Sequence, residues 1–412
     1  MKILILSDEF PPRTIGGSAV VAFALGQGFN LRGHDVLVVT TVRDVEDAGE
    51  YWHKGIRAIA IHSSYNERWR AYRSLYNPST IPMLKKIISK FKPDIVHAHN
   101  IHFHISYHAL KLAKHAGARV ILTAHDAMLV HYGKFADFID PRDTPLPQAF
   151  YYRISPFRQL ATYKRRYNPL RNLIIRYYLR FCEHICAVSN ELKKALEQNG
   201  IKKIIVVHNG IDTNLWKEDE SLRNRMRQKY MLGNAPTVFF AGRLAHAKGG
   251  EQIIKIMGEV IKKVPNAILL VAGIKDVNGE EMERQAKNFH LPVIFTGWLD
   301  GEPLRGVYGA STVVVFPSAY LDSFGLVNIE AMALKKPVVA TCFGGAREIV
   351  GEGMTGYVRS PYDVKEFAKA IAELLTDSKK AEKFGEAGRA RVEKIFTLEN
   401  QINNYLKLYK SG

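Results

Sequence analysis

Residues 311–341, STVVVFPSAYLDSFGLVNIEAMALKKPVVAT, spell out one complete strand-helix-strand unit. A β-branched run ends at Pro317, an apolar helix begins near Leu326, and a second β-branched run follows Pro337. Two wholly apolar strands around one helix belong to a parallel sheet covered on both faces. Inside this apolar unit stand two carboxylates, Asp322 and Glu330. Burying an unpaired carboxylate is costly enough that each must meet hydrogen-bond donors. An N-cap role explains Asp322 cheaply, but leaves Glu330 in LVNIEAMAL unexplained.

The same rhythm extends in both directions. KILIL, DVLVV, IRAIAI, DIVHAH, RVILTAH, HICAVS and KIIVVHNG precede it, and TVFFAGR, AILLVAG and PVIFTG lead into it. Helical stretches separate these runs, so the pattern predicts an α/β protein of two Rossmann-like, doubly wound domains. The expected first domain spans 1–208, with a basic insertion over about 127–183. The expected second spans 209–395, and a closing helix over 396–412 crosses back onto the first. A length of 412 residues, 47% of them hydrophobic, supports two or three domains.

Cys182, Cys186 and Cys342 are too few and too irregular for a disulfide framework or a zinc site, which points to a reducing cytosol. No window approaches the ~20 apolar residues of a membrane span. A cytoplasmic protein, at most peripheral at a membrane, is therefore expected.

Charge is unevenly placed. Of a net +18, the first 210 residues contribute 30 Lys and Arg against 16 Asp and Glu, and the remainder 28 against 24. From Thr144 to Cys182 there is no acid, while Arg153, Arg158, Lys164, Arg165, Arg166, Arg171, Arg176 and Arg180 alternate with aromatic and aliphatic residues. Such a segment is either a solvated basic insertion or a surface for anionic headgroups or an anionic substrate.

Ligands of open α/β sheets sit beyond the carboxyl ends of the strands, at helix amino termini. After KILIL come Gly16 and Gly17, which let the backbone approach a ligand without forming a dinucleotide fingerprint. After DIVHAH and RVILTAH come His97, His99, His102, His104 and His125. Strand alternation sends neighbouring side chains to opposite faces and acids are sparse nearby, so no metal site is expected. His125 is the one placed to hydrogen-bond a polar substrate or carry a proton. After TVFFAG come Arg243 and Lys248, spaced to clamp a diphosphate. Ser323, Phe324 and Gly325 then open a helix whose N–H groups point at the ligand crevice, with Glu330 about two turns along.

At these residues the chain resembles a known family. GRLAHAKGG, PSAYLDSFGLVNIEAMALKKPVVA, GGAREIV and TGYVRSP are similar to the second domain of the family 4 retaining glycosyltransferases. FPPRTIGGSAVVAFALGQGFNLRGHDVLVVT, DIVHAHN, LTAHD, AVSN and VVHNGIDTNLW resemble its first domain and junction. The resemblance implies a GT-B enzyme whose two domains face across a cleft. It would transfer a hexose-type sugar from a nucleoside diphosphate sugar to a sugar, glycan or lipid-linked acceptor, without a metal or other cofactor. By the same resemblance Arg243 and Lys248 neutralise the diphosphate, and Glu330 accepts from the ribose hydroxyls. Ser323, Phe324, Gly325 and Leu326 offer backbone N–H groups, Asp322 stands where Glu is usual and contacts the sugar, and His125 also contacts the sugar. Gly16 and Gly17 approach donor or acceptor, and Gly297, Trp298 and Leu299 border the base.

Lys335 replaces a glycine usual after EAMA, so an altered turn is expected there. A nucleotide-sugar epimerase on the same fold, or a basic nucleic-acid or membrane-binding protein without catalysis, are the competing readings. Nucleic acid is not expected, because charge alone leaves Arg243, Lys248 and Glu330 at strand ends unexplained.

Overall fold

The computed structural model describes residues 1–13, 16–142, 149–242, 246–273 and 277–411. It forms two compact units: Met1–Asp137, Tyr151–Asn209 and Leu398–Gly412 make the first, and Phe138–Phe150 with Gly210–Thr397 the second. No helix among the described residues is long and apolar enough to cross a membrane.

The sheet of the first unit contains β1 (Lys2–Leu6), β2 (Asp35–Val42), β3 (Gly49–His53), β4 (Ile56–His62), β5 (Ile95–Ala98), β6 (Arg119–Ala124), β7 (His184–Ala187) and β8 (Ile204–Val206). Their spatial order is β3-β4-β2-β1-β5-β6-β7-β8, parallel except for β3. The second unit contains β9 (Thr237–Ala241), β10 (Ile268–Ala272), β11 (Val293–Gly297), β12 (Val313–Phe316), β13 (Val338–Thr341) and β14 (Gly356–Arg359). Here the order is β11-β10-β9-β12-β13-β14, parallel throughout. Every run read as a strand forms one; β3 and β14 are additions.

Both sheets reverse direction once. In the first, the chain runs outward from β1 through β2, then returns to β5 on β1's other side; in the second, β9 is flanked by β10 and β12 in the same way. At such a switch point the connections leave for opposite faces of the sheet, and ligands bind beyond the carboxyl ends of the two central strands. These positions are the ends of β1 and β5 and the ends of β9 and β12. Gly16, Gly17, Lys248 and the segment from Asp322 to Leu326 follow these strands, whereas His125 follows β6 and Gly297, Trp298 and Leu299 lie at the end of β11.

The closing helix, Leu398–Lys410, belongs to the first unit because a buried polar chain ties it there. His97 on β5 lies 2.7 Å from the Tyr409 hydroxyl and 2.8 Å from Thr123 Oγ1, which lies 2.9 Å from the Tyr405 hydroxyl. Both imidazole nitrogens are thus used, and His97 is a structural group. Phe29 also meets Tyr409, with ring centroids 5.4 Å apart.

The basic insertion is not one solvated excursion. Arg171 is 1% exposed, its guanidinium donating to the Met128 carbonyl at 2.5 Å and to Asn172 Oδ1 at 3.2 Å. The Tyr152 hydroxyl donates to Glu191 at 2.6 Å, and Tyr132 and Tyr167 are buried together with Ala71. Residues 138–150, read from sequence as part of the first domain, belong instead to the second unit. There Phe138 and Phe150 lie 6.0 and 5.6 Å from the Phe343 ring.

Burial pulls the imidazoles of the first unit down: His97 to about 3, His102, His104 and His125 to about 4, and His99 well below its usual value. A group with a depressed folded pKa that ionises near 6.5 when unfolded draws protons into the unfolded state as pH falls below 6.5. Asp8 and Glu330, both raised to about 7 by burial, act in the opposite sense but are two groups against five. The urea stability of the protein should fall by on the order of 2 kcal/mol per pH unit between pH 6.5 and 5. A denaturation midpoint that stays constant over this range would contradict the buried neutral histidines. Tyr409→Phe, which leaves His97 Nδ1 without its partner, should cost about 1–2 kcal/mol at neutral pH.

Candidate active site

At the switch point of the second unit, two loops meet backbone to backbone. The loop after β9 reaches Gly249, which sits at φ +79°; a Cβ built there would fall 2.0 Å from the Pro317 carbonyl oxygen in the loop after β12. One residue pair further on, the Ala319 amide donates to the Ala247 carbonyl at 2.9 Å. Across the same β12 loop, Gly344 at φ +80° lets the loop after β13 come equally close to the Asp322 carbonyl, which accepts from the Gly345 amide at 2.9 Å. Only glycine fits both approaches.

This clamp brings Lys248 onto Asp322. Their Nζ and Oδ2 atoms are 2.7 Å apart, and Oδ2 also accepts from the Tyr320 hydroxyl at 2.9 Å and Ser318 Oγ at 3.3 Å. The ammonium lies 5.6 and 5.4 Å from the Phe316 and Tyr320 ring centres, a cation–π setting. Burial opposes the charge on Lys248, but Asp322, followed by Tyr320, outweighs it and raises the pKa above its ordinary value. Lys248 is therefore a permanent cation at a strand-to-helix junction. Arg243, its expected companion, lies outside the described residues.

The helix Leu326–Ala333 opens with Gly325 in the left-handed region, and the Phe324 ring packs away from the loop against Phe396 at 5.9 Å. Ser323, Phe324, Gly325 and Leu326 can thus serve a ligand through the backbone. Glu330 projects from this helix and accepts from the Tyr308 hydroxyl at 2.6 Å. Burial pushes its carboxyl up to about 7, against the Tyr308 hydrogen bond, which lowers it. Tyr308 is buried, its ring 4.8 Å from Phe239 and 5.6 Å from Trp216. Gly297 ends β11 at φ +75°; beyond it Trp298 is 46% exposed and Leu299 is half-buried.

In the first unit, Gly16 is the N-cap of the helix Gly17–Leu31, and a Cβ there would meet Glu9 Oε2 at 2.8 Å. His125, just beyond β6, shares a 2.8 Å Nε2···Nδ1 contact with His99, whose ring stacks at 5.1 Å. The other nitrogen of His99 is buried with no partner. His99 thereby fixes how His125 is presented.

Sequence reading passed over three groups. Asp8, directly after β1, accepts three backbone N–H bonds from Phe103, Ile105 and His104, at 2.7, 2.7 and 2.9 Å, and so shapes the loop after β5. An acid at a strand end was the available signal. Tyr320 stands in the same loop as Asp322. Tyr308 lies on the distant helix Gly301–Ala310, and nothing in its sequence marks it.

Lys335 was expected to alter the turn after EAMA, yet it occupies the left-handed region itself at φ +53°. Its ammonium lies 2.9 Å from Glu386 and 3.2 Å from Glu218, which helps offset the roughly 1 kcal/mol a Cβ costs there.

Two family models match successive parts of the chain: Glycosyltransferase Family 4 over residues 15–215 and Glycosyl transferases group 1 over residues 222–391. The chain is 26% identical over 402 residues to a GDP-mannose-dependent alpha-(1-6)-phosphatidylinositol monomannoside mannosyltransferase of Mycolicibacterium smegmatis, covering 94% of this chain and 92% of that one. Sucrose-phosphate synthase from Thermosynechococcus elongatus shares the fold with a TM-score of 0.78 at 22% identity, over 99% of this chain and 98% of that one. So does Anabaena HepE in complex with UDP-glucose, with a TM-score of 0.74 at 20% identity over 99% of each chain.

The glycine clamp can be tested without any ligand. Gly249→Ala should destabilise the protein by on the order of 2–4 kcal/mol, since it combines a left-handed backbone with a clash against main chain that cannot rotate away. Gly353→Ala, also at positive φ but open to solvent, should cost only about 1 kcal/mol. Equal effects on chemical denaturation would remove the special role of the Gly249 contact.

Proposed function

The chain belongs to the group 1, family 4 glycosyltransferases and has their GT-B fold, and from that premise we propose a retaining, metal-independent transfer of a hexose from a nucleoside diphosphate sugar. The observation that carries this reading is the pairing of a permanent cation with a buried carboxylate at the β9/β12 switch point, beside a second carboxylate on the adjoining helix.

Departure of the sugar leaves negative charge on the diphosphate. Lys248, together with Arg243 and the backbone amides from Ser323 to Leu326, supplies fixed positive potential for that charge without a metal. Glu330 accepts hydrogen bonds from the ribose hydroxyls, with Tyr308 holding one of its oxygens. Gly297, Trp298 and Leu299 border the base. Asp322 accepts from hydroxyls of the transferred sugar, and His125, oriented by His99, contacts the same sugar. Gly16 and Gly17 approach the donor phosphate or the acceptor.

In the reaction the bond from the anomeric carbon to the diphosphate oxygen breaks. The acceptor oxygen bonds to the same face of that carbon, and its proton passes to the departing phosphate oxygen. The acceptor is an anionic or lipid-linked glycan handled by the first unit, where positive charge is concentrated, and the protein works at the cytoplasmic face of a membrane. The relatives' substrates support the donor class: one solved neighbour holds UDP-glucose and one relative is GDP-mannose-dependent.

A thermal-shift screen of UDP-, GDP- and ADP-sugars should identify one donor that raises the apparent stability. With that donor, Asp322→Ala should lower kcat far more than nucleotide affinity, whereas Glu330→Ala should lower both, nucleotide affinity by roughly tenfold. Donor affinity should also rise with pH through about 7, because only the Glu330 carboxylate accepts two ribose hydroxyls. Glu330→Gln should flatten that profile. Formation of a free epimeric sugar nucleotide in place of a glycoside would overturn the transferase assignment for this site.

A further inference from the structure

The segment from Tyr151 to Arg180 takes no part in the donor chemistry, yet it presents an unusual face. Its helix Pro156–Tyr163 exposes Phe157 (83%) and Leu160, and the helix Arg171–Leu179 exposes Leu173 (64%), with Leu170 exposed just before it. Among these apolar side chains Arg153, Lys164, Arg165, Arg166, Arg176 and Arg180 are all exposed, and none forms an ion pair with a described residue. The carboxylates that pack nearby are already engaged: Asp137 with Arg158, and Glu191 with Lys194 and Tyr152.

A groove of about 450 Å³ opens on this face, lined by Arg153, Pro156, Tyr167, Leu173, Arg176 and Asn199 among others. Arg176 donates to the Asn199 carbonyl at 2.8 Å and so fixes one wall. Two cations and an exposed leucine share one concavity.

We propose that this face docks on an anionic phospholipid bilayer, with a lipid phosphate entering the groove between Arg153 and Arg176. Exposed aliphatic and aromatic side chains interleaved with unpaired cations are what an interface of headgroups and acyl chains satisfies. A nucleic acid would engage the cations but leave Phe157, Leu160, Leu170 and Leu173 in water. A second copy of this face would set like charges against each other. The inference rests on the proposed lipid-linked or anionic acceptor only for its purpose, and the residues that carry it are not those proposed for the donor.

Liposome flotation of the full chain at low salt tests it, using phosphatidylcholine vesicles with and without phosphatidylglycerol. The protein should float with the anionic vesicles and remain behind with the neutral ones. Phe157→Ser with Leu173→Ser, both at exposed positions, should reduce the bound fraction at least about tenfold. Arg153→Gln should weaken binding roughly fivefold and make it less sensitive to salt.

The proposal is overturned if the wild type fails to float at low salt or if the serine variant floats like the wild type. It is likewise overturned if duplex DNA binds with an affinity the serine substitutions do not change. The thermal shift given by the donor sugar nucleotide should be identical in all variants. Loss of flotation with that shift retained condemns only the docking face, and absence of the shift in the wild type condemns only the donor assignment.

Discussion

The close approach of Gly249 to the Pro317 carbonyl is the contact on which the second unit's chemistry depends. Strands β9 and β12 pair directly, so the loops leaving them must either diverge or touch. Here they touch, because a residue without a Cβ in the left-handed region admits a main-chain oxygen where a side chain would stand. Lys248 is the residue immediately before that glycine and Asp322 lies five positions beyond Pro317. Their 2.7 Å pairing therefore follows from the backbone, and the flexible lysine stem has little freedom to depart from it. Gly344 repeats the device on the opposite side of the same loop, so the carboxylate-bearing segment is held from both flanks.

The first unit solves a comparable problem with polar side chains. Asp8 gathers three successive amides of the 103–105 turn, and His97 joins β5, β6 and the closing helix through two tyrosine hydroxyls and a threonine. Both groups are buried, so they hold these elements only while each keeps its hydrogen bonds. Of the histidines that gather at the ends of β5 and β6, one is a strut and two, His99 and His125, form a buried pair. Their shared location covers two observed uses of a neutral imidazole, bridging two hydroxyls and orienting a neighbouring ring.

Strands were legible in the sequence wherever both faces are covered, because burial on both sides requires continuous β-branched runs. β3, GEYWH, escaped notice as an antiparallel edge strand whose charged and aromatic residues carry no such run, and β14, GYVR, for the same reason at the other sheet's edge. Site residues directly after strands could be found by position, which is why Lys248, Asp322 and His125 were nameable. Tyr308 could not be, because it reaches Glu330 from a helix 22 residues upstream whose sequence gives no sign of the contact. The contacts of Phe138 and Phe150 with Phe343 likewise depend on long-range packing, which the strand rhythm behind the expected boundary at 208 does not report.

The two acids of the opening stretch end in opposite electrostatic situations. Asp322 has a cation and two hydroxyls on one oxygen; Glu330 has a single neutral phenol, and burial lifts its carboxyl to about 7. In the proposed transfer, a carboxylate held by a cation remains an acceptor while charge builds on the departing phosphate. Glu330, with Tyr308 as its hydrogen-bond donor, has acceptor capacity left that the proposed ribose hydroxyls would fill. The choice of Asp over Glu at position 322 fits the same logic. The short stem places the carboxylate 2.7 Å from Lys248, on the loop fixed by Gly249 and Gly344.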